Sequence, residues 1–252
     1  MNHLQTGINH RNCLQTIILV SILSAISATI CKATNRDSAL FIKQNQFFIF
    51  PASLVPHKMN TAISISIIEL PKDWVENSIE IPILNFKARY GFIPSIYIDF
   101  EASSIIISNE LKTGPHWQHS FGQFALSAGA DLEYMFGGLK AMEFNNKVSE
   151  LALDPTISFG LDTKYIAFTT VVAATYVHNM TLRSGDGFVF HKRNFTSGGS
   201  IGMYMEQKAW RNRILIIGLI SNFTCFYPLL WPVFNSSDRL FFIPQIQIGL
   251  VL

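Results

Sequence analysis

Residues Phe124–Phe136 read FALSAGADLEYMF, and the two parities of this stretch differ in kind. Phe124, Leu126, Ala128, Ala130, Leu132, Tyr134 and Phe136 form one set. Ala125, Ser127, Gly129, Asp131, Glu133 and Met135 form the other. Successive side chains of a strand point to opposite faces, so an extended chain has one apolar, aromatic face and one small, polar, acidic face. A helix would scatter Asp131 and Glu133 among the large apolar groups. The stretch is long for a strand of a soluble domain, where about 5–6 residues is usual. It suits a tilted membrane-crossing strand, which needs roughly 9–11. The prediction is an all-β fold, an antiparallel up-and-down transmembrane β-barrel.

The same alternation recurs on both sides of this stretch. Ala62–Leu70 (AISISIIEL) begins as strict Ile/Ser alternation, a strand signal. A turn at Pro71–Asn77 follows, with Trp74 placed for a membrane interface. Ile79–Tyr90 sets Leu84, Phe86, Ala88 and Tyr90 against Asn85, Lys87 and Arg89. After a turn at Gly91–Pro94, Ser95–Glu101 sets Ile96, Ile98 and Phe100 against Tyr97, Asp99 and Glu101. A short turn keeps both polar faces on one side and sets Lys87 diagonal to Asp99. Ser104–Lys112 reads as a weaker strand in which Glu110 and Lys112 share a parity. Leu153–Leu161, Gly199–Gln207 and Arg239–Leu252 alternate again, the last with Gln245, Gln247 and Gly249 inward. Thr113–Ser120, Gly137–Glu150, Thr181–Asn194 and Leu229–Asp238 read as loops. The total is about ten strands over residues 59–252, or eight if the first pair lies outside the wall.

Ile214–Phe234 has no formal charge and is long enough for a membrane-spanning helix. Pro228 and Pro232 would break that helix's second half, and Asn222 would face lipid unpaired. A strand to Tyr227 followed by a Pro-containing loop accounts for the same residues.

Ahead of the barrel, residues 1–33 read as a signal peptide. Arg11 gives positive charge, Thr16–Ile26 is the apolar run, and cleavage is expected after Ala28. Cys31 offers a second reading, as the lipid-modified first residue of a lipoprotein. Residues 34–58 are then a periplasmic lead-in or a segment tucked into the barrel mouth. Charged residues are 14% and aromatics 13%, a low charge content for a water-facing surface. A net charge of +2 with no Lys/Arg block gives no nucleic-acid footprint. The three cysteines and the scattered histidines make no zinc pattern, and no cofactor is expected.

The dyad segments SIYIDFEAS, FALSAGADLEYMF and LALDPTISFGLD, with the amphipathic carboxyl-terminal strand PQIQIGLVL, make Ile79–Leu252 resemble small outer-membrane β-barrel proteins of Gram-negative bacteria. The resemblance implies location in the bacterial outer membrane, with its lipids as surroundings. It also implies a last strand read by the barrel-assembly machinery. Gln247, Gly249 and Leu252 match that signal in part, since the chain ends in Leu where an aromatic is usual.

The inward charges Lys87, Arg89, Asp99, Glu101, Asp131, Glu133, Asp162 and Glu206 are the one constellation the pattern assembles. They read as a network that plugs the lumen, since a barrel this narrow is filled by side chains. The alternative is a solute path or pocket. His116, His119 and Ser120 in GPHWQHSF are the nearest approach to a Ser–His pair, but His119 and Ser120 point to opposite faces of an extended chain. The functional reading is a structural, surface or adhesive barrel, leaning away from an enzyme. The alternatives are a narrow pore or small-ligand carrier, and a lipid-modifying enzyme.

Overall fold

The structure is a computed structural model that describes residues 47–51, 56–71, 79–141, 144–163, 165–185, 187–209, 213–232 and 239–252. Residues 1–33, expected from the sequence to be a signal peptide, with Cys31, and Trp74 lie outside the described residues. Ten strands follow one another: β1 (Met59–Glu69), β2 (Glu80–Ile93), β3 (Ile96–Ser104), β4 (Ser108–Phe121), β5 (Phe124–Ala141), β6 (Phe144–Asp162), β7 (Ile166–Ser184), β8 (Gly187–Lys208), β9 (Ile214–Thr224) and β10 (Phe241–Val251). Each pairs antiparallel with its neighbours in sequence, and β1 pairs with β10 from Ala62↔Val251 to Ile68↔Gln245. The sheet is therefore a closed up-and-down barrel, which leaves no free edge. The first pair belongs to the wall, so the eight-strand alternative falls. Ile214–Thr224 is strand, followed after Tyr227 by one 3-10 turn, Pro228–Leu230.

The exterior is apolar along the middle of every strand. Ile65, Leu84, Leu132, Ile157, Val172, Leu219 and Ile248 all stand outward and exposed. Stacked rings border this aliphatic band. At the mouth where β1 begins and β10 ends, the chain-end mouth, Trp117, His119, Phe121, Phe124 and Phe159 run as neighbours with centroids 5.7–6.3 Å apart. Toward the other mouth stand Tyr134 with Phe136 and Phe223 with Phe242. From Phe124 to Tyr134, at ~3.3 Å per residue and a tilt of ~40°, the height is ~25 Å, the height of the apolar band of membrane barrels. Water would not leave so continuous an apolar surface uncovered.

Three segments expected to be loops are strand. Thr113–Ser120 lies within β4, most of Gly137–Glu150 divides between β5 and β6, and Thr181–Asn194 divides between β7 and β8. The last two extend the hairpins beyond the aromatic border. There the two faces exchange character: Leu139, Val148, Met180, Leu182 and Phe190 gather inward, while Lys140, Lys147, Arg183 and Arg193 stand outward and exposed. A dyad search tuned to an apolar exterior and a polar interior passes over strands whose pattern is inverted.

Candidate functional site

The lumen holds every described charge that the sequence pattern placed inward except Asp162, and it is closed at both mouths. At the chain-end mouth, Phe47–Pro51 lies inside the barrel, with Phe47, Phe48, Ile49 and Phe50 packed on Ala62, Ala125, Ala167 and Ile216. A short apolar segment inside a barrel carries backbone N–H groups that the wall cannot pair through its own ladder. Glu206 supplies the acceptors. Its Oε1 receives the N–H groups of Phe48 (2.6 Å) and Ile49 (3.0 Å), and its Oε2 that of Phe50 (2.7 Å). Gly160 in β6 leaves the room for the Phe50 ring, which a Cβ there would overlap.

Above this segment the ion pairs follow the strand register. Arg89 lies opposite Asp99 and binds it through two nitrogens (2.8 and 2.9 Å), and Lys87 lies opposite Glu101 (3.0 Å). Lys87 does lie diagonal to Asp99, as expected, but its ion pair is made with Glu101 directly opposite, while Asp99 is taken by Arg89 across the register that the bulge between Gly91 and Ile93 sets. The Arg89 guanidinium is also held 4.2 Å from the Tyr97 ring centroid and 5.4 Å from that of Phe48. His116 Nε2 meets Asp131 at 3.0 Å and stacks on Tyr97 at 5.1 Å.

Deeper toward the far mouth, Lys112 is the hub. Its ammonium meets Asp154 at 2.6 Å, Glu133 at 2.9 Å and Glu110 at 3.3 Å. Glu150 is 1% exposed, and neither of its carboxylate oxygens has a partner among the described residues. A chamber of about 230 Å³ remains, bordered by Lys87, Arg89, Glu101, Lys112, Asp154 and Tyr204.

The far mouth is covered by the β9–β10 connection. Ser197 Oγ donates to the Phe226 carbonyl (2.7 Å), and the Phe226 N–H donates to Thr224 Oγ1 (3.2 Å), which turns the chain inward. Leu229 and Leu230 then pack on Ile68, Ile83 and Ile243, while Trp231 joins Met135, Val148 and Val177. Gly137 receives the indole, since a Cβ at that position would overlap Nε1. Burial pushes the Tyr227 phenol above its ordinary range, with Glu110 acting in the same direction.

Asp162 stands apart at the rim of the chain-end mouth, where its N–H donates to the Gln123 carbonyl (2.8 Å). Glu110, Lys112 and Asp154 join the network although the expected set omitted them, and Glu150 lies buried without a partner among the described residues. Parity alone placed Glu110, Lys112 and Asp154 inward. What it lacked was the closure that brings Lys112 to a carboxylate 42 positions away. No hydrogen bond joins a serine hydroxyl to His116 among the described residues. His119 faces outward between Trp117 and Phe121, away from Ser120. No group of three His, Cys, Asp or Glu side chains among the described residues is placed to hold a metal ion.

No protein-family model and no curated protein matches the sequence. Solved structures similar to this chain include neisserial surface protein A (10% identity, 77% of this chain and 96% of that one, TM-score 0.39). Another is Ail, the attachment invasion locus protein of Yersinia pestis (8%, 78% and 98%, TM-score 0.37). A third is the translocator domain of the autotransporter NalP from Neisseria meningitidis (7%, 77% and 87%, TM-score 0.37). This chain is a closed ten-stranded up-and-down β-barrel.

Proposed function

We propose that the chain is an integral barrel of the bacterial outer membrane with a structural, surface or adhesive role, and that its lumen does not conduct. One observation carries this reading: the interior is closed twice, by Phe47–Pro51 on Glu206 and by Phe226–Trp231 over the opposite mouth. Between the two closures every cation is paired. Arg89 binds Asp99, Lys87 binds Glu101, and Lys112 is shared by three carboxylates. A solute path needs fixed charges that face water and exchange partners. Here they bind wall to wall, which ties β2 to β3 and β4 to β5 and β6. In this reading outer-membrane lipids surround the apolar exterior, and the carboxyl-terminal strand is what the barrel-assembly machinery reads.

The test is conductance of the folded full chain in planar bilayers, paired with a gel on which folded and boiled protein migrate differently. Folded protein that gives no stable conductance steps fits the reading. Steady steps with cation selectivity would make the acid-rich chamber a pore and replace it.

A further inference from the structure

Beyond the outer aromatic border, the outward face of β5–β8 is basic. Lys140, Lys147, Arg183 and Arg193 all stand exposed there, with His191 and Phe188 between them. The register decides how they meet. Lys147 lies directly opposite Arg183, and Arg193 lies opposite Asn179, four residues nearer the apolar band along β7. Like charges set directly across a strand pair repel, and among the described residues no carboxylate pairs with any of the four. In sequence, residues 137–149 and 179–196 carry five Lys/Arg against two Asp/Glu, and those two, Glu143 and Asp186, lie outside the described residues. Exposed acids of the same mouth stand on the far side of the ring, where Glu69 faces Glu80 across β1 and β2.

The level of this face is equally specific. Phe136 marks the border on β5, and Lys147 lies opposite Gly138, two residues further out. At ~3.3 Å per residue and a tilt of ~40°, Lys147 stands ~5 Å beyond Phe136 and Lys140 ~10 Å beyond it. A bilayer's headgroup layer occupies that depth, roughly 5–8 Å on each side of the hydrocarbon. Arg183 also lies with its guanidinium 4.4 Å from the exposed Phe188 ring, an apolar surface next to a cation. That pairing suits the boundary between chains and headgroups.

We infer that this face docks phosphate-bearing lipid headgroups of the leaflet at that mouth, with Lys147 and Arg183 closing on one phosphate between them. A phosphate between two facing cations removes the repulsion that the bare register contains. Two guanidinium groups and two ammonium groups on one sector then collect anionic lipid on that side of the barrel alone. The inference rests on the reading that the exterior lies in a bilayer, so its test separates the two.

The full chain is folded into phosphatidylcholine vesicles, and insertion is established by the shift in gel migration on boiling. Association of spin-labelled phosphatidylglycerol and phosphatidylcholine with the inserted protein is then compared. The expected result is a preference of about fivefold for phosphatidylglycerol at this face, the effect of one basic side chain near an anionic surface. Salt should lower the preference. Lys147→Gln with Arg183→Gln should bring it toward parity, whereas Arg213→Gln, on the exposed rim at the other mouth, should leave it unchanged. Should the first pair fail to fold, Lys140→Gln with Arg193→Gln makes the same test. Inserted protein with no preference overturns the inference and spares the membrane reading; protein that does not insert overturns both. A preference that survives both pairs, or falls equally in Arg213→Gln, also overturns it. So does retention of a soluble sulfated polysaccharide without lipid preference, which would assign the face to a soluble polyanion.

Discussion

Replacing Glu206 by Gln tests the closure at the chain-end mouth with a change of one atom. The native carboxylate accepts three backbone N–H groups, two on Oε1 and one on Oε2. A glutamine carbonyl in the Oε1 position keeps the Phe48 and Ile49 donors but loses its charge. Its amide nitrogen then faces the Phe50 N–H, donor against donor. A hydrogen bond to a charged group contributes about 1.5–3 kcal/mol, and a buried donor left without a partner costs about 1–3 kcal/mol. Allowing for overlap between these terms, and for apolar packing of the four side chains that is unchanged, docking should weaken by about 2–4 kcal/mol. At 1.4 kcal/mol per tenfold, the undocked population rises roughly 30- to 700-fold. Hydrogen–deuterium exchange of the folded protein, read on the peptide carrying Phe48–Phe50, should accelerate by that factor while β10 amides keep their protection. Conductance should stay absent, because Leu229 and Leu230 still close the other mouth. Unchanged exchange at Phe48–Phe50 would refute the claim that this carboxylate holds the segment.

Other substitutions test the wall and the ion network. Leu132→Arg places a cation on the exposed apolar band and should cost about 2–4 kcal/mol in urea unfolding from lipid vesicles. Ser127→Arg should be no milder, since Ser127 is 2% exposed and bonded to Ser158 at 2.6 Å; a tolerated Ser127→Arg would contradict the packed interior. Lys87→Met strands Glu101 and should destabilise by about 1–3 kcal/mol, between exposed and buried pairs, because both side chains keep about a quarter of their exposure. Adding Glu101→Gln should recover part of that loss, and strict additivity would rule out the pairing. Lys112→Met abandons three carboxylates and should cost more than Lys87→Met, about 3–5 kcal/mol by the same unfolding measurement.

The wall was legible wherever a strand crosses the apolar band, because there one parity must be apolar and the other need not be. Phe124–Phe136 and the last strand fall into place for that reason. Gly137–Glu150 and Thr181–Asn194 escaped because their apolar parity is the inner one, and their polar residues looked like a loop. Thr113–Ser120 escaped because Gly114, Pro115 and two histidines resemble turn chemistry, although Pro115 simply lies across from Ile98 in β4. Inward placement of the charges could be read from parity. Partner choice could not, since Lys112 meets Asp154 only after strands separated by β5 converge. The role of Glu206 was equally hidden, because its partners are backbone groups 156–158 positions earlier.

The seam between β1 and β10 constrains how this barrel comes into being. Ala62–Ile68 has no second neighbour until Gln245–Val251 arrives, and Gln247 reaches Ser64 across 183 positions of chain. Closing a loop of that length is slow, and until it happens two ladder edges stand open to any passing strand. β1 must therefore wait, kept from other partners, until the residues of β10 have been made. Removing those residues would leave a sheet with two unpaired borders, prone to joining its own copies edge to edge.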